Sequence, residues 1–202
     1  MAKIAIDVAL LLSEKINKIC VSLNKTEGAG AFSDFSKSNN HQHITLAMGV
    51  IDEKDLPKIE AKLKRISNNF PTLKLKVKGI HSEINPENSK SCSFLVERTE
   101  KLKKLHAEIM KTILPFLSHT VEKKMFFLDS DEKFGKVSKY WVKNYWKKHS
   151  NPENYKPHIS LKCRKANYLK FPITFSTSRL AVCQLGNYCA CRKIFFQFNL
   201  KP

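Results

Sequence analysis

Two pairs of side chains in this 202-residue sequence have the types and the spacing that acid–base chemistry requires. His43 precedes Thr45 in the stretch QHITL, and His158 precedes Ser160 in the stretch PHISL. Apolar residues take the alternate positions, so each stretch reads as a β-strand whose imidazole and hydroxyl share one face. An imidazole exchanges a proton near neutral pH, and a hydroxyl can donate a hydrogen bond to an anion. The duplicated unit therefore predicts a phosphate site with two-fold pseudo-symmetry.

The stretches HITL and PHISL together resemble the duplicated His-x-Thr/Ser signature of the two-histidine (2H) phosphoesterase superfamily, which includes RNA ligase-like cyclic phosphodiesterases and 2′-5′ phosphodiesterases. One H-x-[ST] is common by chance, whereas two copies in matched apolar strands are a much stronger signal. The resemblance implies that His43 and His158 are catalytic and flank the phosphate. It also implies that Thr45 and Ser160 bind the phosphate. Which histidine is the acid and which is the base is left open.

The resemblance implies several activities that the motif residues do not separate. We expect cleavage of 2′-5′ phosphodiester or 2′,3′-cyclic phosphate bonds, with no metal ion and no organic cofactor. One alternative is a 3′-5′ RNA exonuclease that trims the ends of small RNAs. Another is a non-catalytic RNA-binding module with the same fold. Two intact motifs favour the enzyme, because binding alone does not require a matched pair of proton-transfer groups.

The charge balance favours a polyanionic partner. The chain carries 36 basic and 18 acidic residues, a formal net charge of +18. We therefore expect RNA or an oligonucleotide as substrate, ahead of a membrane surface, and a monomeric protein. The alternative explanation of the charge is a lysine-rich, solvated surface.

Six cysteines without the spacing of a disulfide framework predict a reducing intracellular compartment, the cytoplasm or alternatively the nucleus. The pair Cys189 and Cys191 has the wrong spacing for the common structural zinc sites. The apolar run 4–12 contains Asp7 and is short, so it predicts neither a signal peptide nor a membrane span.

The apolar periodicity predicts one α+β domain over residues 1–202. The order of elements predicts two antiparallel sheets that face across a central cleft, with helices outside. This agrees with the bilobal, pseudo-two-fold fold that the resemblance to the 2H phosphoesterases implies. The predicted strands are 4–12, 41–51, 72–80, 92–98, 156–163, 173–185 and 188–199, with a hairpin turn at Gly186-Asn187. The predicted helices begin at Ser13, at Asp52 or Asp55, at Thr99, and within the segment 129–155.

Four further residues are candidate substrate contacts. His41 lies on the same face as His43, one strand step earlier. Phe32 belongs to a Gly-, Ser- and Asn-rich loop that could close over a substrate. Trp141 and Tyr145 belong to a segment where aromatic residues alternate with lysines, as base stacking on a nucleic acid requires. Packing or an ordinary surface position is the alternative role for each of them.

Overall fold

The computed structural model of the protein describes residues 2–25, 40–130, 132–161 and 169–202, so Phe32 lies outside the described residues. The strands are β1 (Lys3–Leu11), β2 (His43–Asp52), β3 (Leu73–Ile84), β4 (Lys90–Val96), β5 (His158–Leu161), β6 (Ile173–Thr177), β7 (Arg179–Leu185) and β8 (Cys191–Asn199). The α-helices are α1 (Glu14–Lys25), α2 (Leu56–Ser67), α3 (Glu100–Ile113) and α4 (Lys136–His149).

The strands form two four-stranded antiparallel sheets, in the orders β2-β1-β7-β8 and β5-β4-β3-β6. Each motif strand is therefore the edge strand of its own sheet. The edges β2 and β5 also pack against each other, which brings the two motifs together from opposite sheets. The predicted α+β architecture, with two antiparallel sheets facing across a cleft, is confirmed.

Local sequence explains why the elements form where they do. In β3 the residues Leu73, Leu75 and Val77 are buried and alternate with exposed lysines, the period-2 pattern of a half-buried strand. Helix α3 begins where predicted, because the Thr99 hydroxyl caps it by accepting a hydrogen bond from the Leu102 backbone N–H.

The motif strands alternate as their sequences require. In β2 the side chains of Ile44 and Leu46 are fully buried, and in β5 the side chains of Ile159 and Leu161 are buried. The intervening motif side chains are more accessible in both strands. The apolar residues thus fix the register of each motif, because a slip of one residue would turn its polar face into the core.

The end of the chain departs from the prediction in two places. The predicted single strand 173–185 is wrong, because the chain leaves β6 at Ser178 and continues as β7 in the other sheet. The crossing point is held by long-range hydrogen bonds, one from the Thr177 hydroxyl to the Leu11 carbonyl and one from the Leu200 N–H to the Ser178 carbonyl. No glycine or proline at this point gives a sequence signal for the break.

The predicted two-residue hairpin turn at Gly186-Asn187 is also wrong. A short 3-10 segment, Asn187–Cys189, connects β7 to β8, and the Gly186 N–H donates to the Ala190 carbonyl. Tyr188 and Cys189 both have positive φ angles, which sequence rules assign to glycine or asparagine instead. Among the helices of the described ranges, none combines the length and the apolar character needed to cross a membrane.

Candidate active site

The two motif histidines are anchored in the same way. His43 Nδ1 lies 2.8 Å from the carbonyl oxygen of His41, and His158 Nδ1 lies 3.0 Å from that of Lys156. A carbonyl oxygen can only accept, so in both rings Nδ1 carries the proton and donates it two residues back along the chain. In each ring Nε2 is therefore the nitrogen that is not bound to the backbone, and it is the candidate atom for proton transfer.

A buried carboxylate that the motifs did not reveal lies beside the first histidine. Asp7 on β1 is 0 % exposed. Its Oδ2 accepts a 2.7 Å hydrogen bond from the Thr45 hydroxyl and lies 3.4 Å from His43 Nε2. A β-bulge on β2, opposite the step from Val8 to Ala9, adjusts the register directly next to this contact. The sequence gives one indication of Asp7, namely that it is the single charged residue within the apolar run 4–12.

Asp7 and His43 form a coupled pair. Burial raises the pKa of Asp7, and the hydrogen bond and charge of His43, together with the hydrogen bond of Thr45, offset this only in part. Burial alone would lower the pKa of His43, but the hydrogen bond and charge of Asp7 outweigh it and raise that pKa. The charge of His158 also lowers the pKa of Asp7. The second motif histidine is therefore near enough to Asp7 to interact with it, as expected if the two motifs share a site.

The hydroxyl of the first motif has a partner within the protein. Thr45 donates its proton to Asp7, so a bond from Thr45 to a phosphate requires the hydroxyl to turn away from Asp7. In the second motif His158 is exposed and Ser160 is half-buried, opposite Ser93 of β4. The phosphate-binding roles of Thr45 and Ser160 remain predictions.

Two buried tyrosines hold the first motif strand in place. The carbonyl oxygen of Thr45 accepts hydrogen bonds from the hydroxyls of Tyr155, at 2.9 Å, and Tyr145, at 3.4 Å. The Tyr155 ring stacks on buried His106 with 3.8 Å between centroids. Since Tyr155 lies three residues before His158, its hydroxyl connects the two motifs. Tyr145, a candidate substrate contact, is used here to support β2, and its contact with substrate remains a prediction.

Replacing Tyr155 by phenylalanine tests this connection. The Tyr155→Phe variant loses the shorter bond to the Thr45 carbonyl while the stacked ring is kept, so we expect a loss of about 1 kcal/mol in the free energy of unfolding. Urea denaturation measures the change. The matched variant Tyr140→Phe alters a half-buried ring on α4 and should change stability by less than about 0.5 kcal/mol. Equal effects of the two variants would contradict the role assigned to Tyr155.

The remaining candidate contacts lie around the cleft. His41 is exposed, and its backbone supports the site, since its N–H donates to the Cys191 carbonyl and its own carbonyl holds His43. Trp141 is half-buried on α4, with Lys148 Nζ 5.8 Å from its ring centroid. Their contacts with a substrate remain predictions.

His149, which carries no motif, is the last residue of α4 and interacts electrostatically with His158. Its ring stacks with Trp141 at 6.2 Å, and its Nδ1 lies 3.0 Å from the Asn154 carbonyl. Burial lowers the pKa of His149, the bond to the Asn154 carbonyl opposes this, and the charges of His158, Lys148 and Lys156 lower it further. No local pattern marks this residue, because its contacts depend on the packing of α4 against the segment Pro152–Asn154.

One cluster in the described part of the chain has the donor types of a metal site. Donor atoms of Asp7, His43 and Cys191 all lie within 4.8 Å of one another. Burial raises the pKa of the Cys191 thiol well above its usual value, and the neighbouring Cys183 thiol raises it further. Cys191 is fully buried on β8, and we do not assign a metal ion to this cluster.

The fold consists of two antiparallel sheets, and each sheet contributes one His-x-hydroxyl edge strand to a common cleft. This is the 2H phosphoesterase fold, so the resemblance seen in the motifs is confirmed at the level of the fold. The protein TT0787 of Thermus thermophilus matches with a TM-score of 0.59 at 16% identity, over 98% of both chains. Escherichia coli LigT in complex with 3′-AMP matches with a TM-score of 0.58 at 11% identity, over 100% of both chains. No protein-family model and no curated protein matches the sequence.

Proposed function

We propose that the protein is a metal-independent phosphodiesterase that acts on RNA or oligonucleotides and cleaves 2′-5′ phosphodiester or 2′,3′-cyclic phosphate bonds. The observation that carries the proposal is the matched anchoring of His43 and His158 through Nδ1, which makes Nε2 of each ring the proposed atom of proton transfer. The fold likeness supports it, because the solved structures that match include LigT complexed with 3′-AMP and with phosphate.

The site supplies what phosphodiester cleavage needs. One Nε2 takes the proton of the attacking oxygen and the other gives a proton to the leaving oxygen. The hydroxyls of Thr45 and Ser160 are proposed to bind the non-bridging oxygens, Thr45 after it releases Asp7. Each histidine is kept in the correct tautomer by its bond to a backbone carbonyl, so neither ring has to reorient before the reaction.

The surface beside the second histidine supports a nucleic-acid substrate. Lys148 lies over the rings of both Tyr140 and Trp141 on α4, and exposed Lys156 immediately precedes the motif. Aromatic rings combined with cations are suited to bases and phosphates respectively. The net charge of +18 would add affinity through counterion release. We therefore propose that RNA follows α4 into the cleft and that the monomer is sufficient for activity.

A substrate panel in EDTA tests the proposal. The panel contains 2′-5′ oligoadenylate, 3′-5′ oligoadenylate and an RNA ending in a 2′,3′-cyclic phosphate, with products separated by chromatography. We expect turnover of the first or the last substrate without added metal. The double variant His43→Ala/His158→Ala should be inactive, and the matched control His81→Ala, which alters an exposed histidine on β3, should keep full activity.

The other outcomes separate the alternatives. Cleavage of only the 3′-5′ oligomer from its end would indicate the exonuclease. Binding of all three substrates without product, unchanged in the double variant, would indicate an RNA-binding module. Activity that appears only after a divalent metal ion is added would contradict the metal-independent mechanism.

A further inference from the structure

We infer that the substrate continues past His158 across the open face of the sheet β5-β4-β3-β6, where Leu95 and Gly79 receive a nucleotide and three lysines of β3 bind the phosphates beyond it. The open face is the side of this sheet that is exposed to solvent. The inference rests on the proposed function and deepens it. It favours a 2′-5′ oligonucleotide over an RNA with a terminal cyclic phosphate, because only the former has nucleotides on both sides of the reacting phosphate.

The strand register brings the open face next to the second motif. Leu95 on β4 is the direct partner of His158 on β5, and Gly79 on β3 is the direct partner of Leu95. Direct partners on adjacent antiparallel strands lie on the same face of the sheet. The three residues therefore form one cross-strand row, which runs from the edge of the sheet at the cleft to its third strand.

The row has room for a nucleobase. Leu95 is 41 % exposed, although Phe94 and Val96 on either side of it are buried. A Cβ atom at Gly79 would meet nothing within 4 Å among the described residues beyond its own chain neighbours. Apolar side chains as well as aromatic ones can serve as stacking surfaces for a base. An apolar side chain with free space beside it, in the same row as His158, fits the nucleotide that follows the reacting phosphate.

The three lysines lie on the same face and begin at the row. Lys74, Lys76 and Lys78 are exposed, and the β3 residues that alternate with them are buried. A β-bulge between Val77 and Gly79 places Lys78 at the row as well. Successive lysines are two strand residues apart, about 6–7 Å, which is similar to the step between phosphates in an extended single strand. They therefore form a ladder of cations that leads away from the cleft.

Glu97 moderates the charge of this lysine ladder. Its carboxylate oxygens lie 3.8 Å from Lys76 Nζ and 3.9 Å from Lys78 Nζ. Both lysine side chains are more than half exposed, so these ion pairs are weak and a phosphate can replace them. One carboxylate among three cations leaves the ladder with a net positive charge, which complements a nucleic-acid backbone.

The ladder and α4 are on different sides of His158. Helix α4 packs against β2, whereas β4 and β3 follow β5 on the other side. A single strand that follows α4 into the cleft therefore reaches His158 first and the open face afterwards. His81 lies outside this path, because it pairs with Ser93 in the row of Ser160 and faces Glu83.

Binding of a single strand tests the inference without turnover. The inactive variant His43→Ala/His158→Ala is the background, and fluorescence anisotropy follows an end-labelled 2′-5′ oligoadenylate of about six nucleotides over a range of salt concentrations. On this background Lys74→Gln/Lys76→Gln/Lys78→Gln should weaken binding about tenfold or more. The slope of log affinity against log salt should fall by about two, since each phosphate contact of a single strand contributes about 0.7. An unchanged slope would overturn the inference.

The matched control removes the same charge from α2. Lys58→Gln/Lys62→Gln/Lys64→Gln changes three exposed lysines of a helix whose apolar side lies in the core, so it should lower the salt slope by less than about one. Equal effects of the two triple variants would mean that the basic surface attracts RNA diffusely, and the inference would be wrong. Glu97→Gln should instead tighten binding about two- to fivefold, because it removes a carboxylate beside the ladder.

Filling the space at Gly79 tests the nucleotide position. Gly79→Val should weaken binding of the oligoadenylate about tenfold, the effect of one lost base contact. In the active enzyme it should leave kcat/KM unchanged on a nucleoside 2′,3′-cyclic phosphate, whose single nucleoside lies on the α4 side. The control Ser82→Val, at an exposed position of β3 that pairs with Cys92 on the other face, should alter neither. Equal losses on both ligands would overturn the inference.

The results also separate the inference from the proposed function. Binding that depends on the ladder and on Gly79, without turnover of any substrate in the panel, would reject the proposed function and retain the open face as an RNA-binding surface. Turnover of 2′-5′ oligoadenylate with the same kcat/KM in wild type, in the ladder variant and in Gly79→Val would support the proposed function and overturn the inference.

Discussion

Alanine at either His43 or His158 is expected to lower kcat on the natural type of substrate by on the order of 10²–10⁴-fold, the usual contribution of one proton-transfer group. The double variant should lose little more than the worse of the two single variants. The acid and the base act together in the same transition state. Because the second group contributes little to the rate once the first is missing, the two losses are not additive. Single-turnover rates in EDTA measure both effects. Single variants within about tenfold of wild type would contradict two-histidine catalysis.

The two variants should differ in stability, which gives an independent check on the site. His158 is exposed, so His158→Ala should change the free energy of unfolding by less than about 0.5 kcal/mol. His43 is only 11 % exposed and is paired with fully buried Asp7. His43→Ala removes that partner and should cost about 1–3 kcal/mol in urea denaturation. A lower pH should restore part of the loss, because protonation removes the buried charge of Asp7.

The motif strands could be predicted from sequence because two local rules agree there. Alternation puts His43 and Thr45 on one face, and the buried residues Ile44 and Leu46 on the other face fix the register. The resemblance to a known signature then predicts that the two motifs meet. The strand orders agree, because each motif strand is the edge strand of one of the two sheets.

Asp7 could not be assigned in the same way. Its role depends on the pairing of β1 with β2 and on a bulge, and neither leaves a local pattern in the sequence. The same holds for Tyr155, whose hydroxyl reaches a carbonyl 110 residues away in the chain. The change of sheet at Ser178 is set by long-range backbone bonds as well. Contacts of this kind arise from tertiary packing, so sequence periodicity does not show them.

A buried ion pair at the start of β8 should have the largest effect on stability. The side chains of Arg192 and Glu132 are only 3 % and 8 % exposed, and two hydrogen bonds of 2.6 and 2.8 Å join them. Arg192→Met keeps the aliphatic length but takes the guanidinium away from the buried Glu132 carboxylate. We expect a loss of about 3–5 kcal/mol in the free energy of unfolding, because a buried charge loses its counter-ion.

The paired replacement separates the charge effect from packing. The double variant Arg192→Met/Glu132→Leu should recover most of the stability lost in Arg192→Met, since both charges of the buried pair are then removed together. The surface pair of Lys18 and Glu14 provides the matched control, and Lys18→Met should change stability by less than about 1 kcal/mol. Urea midpoints at constant m value measure all three variants. If Arg192→Met costs no more than Lys18→Met, the ion pair does not hold β8 to the segment before α4, and the fold there must depend on apolar packing alone.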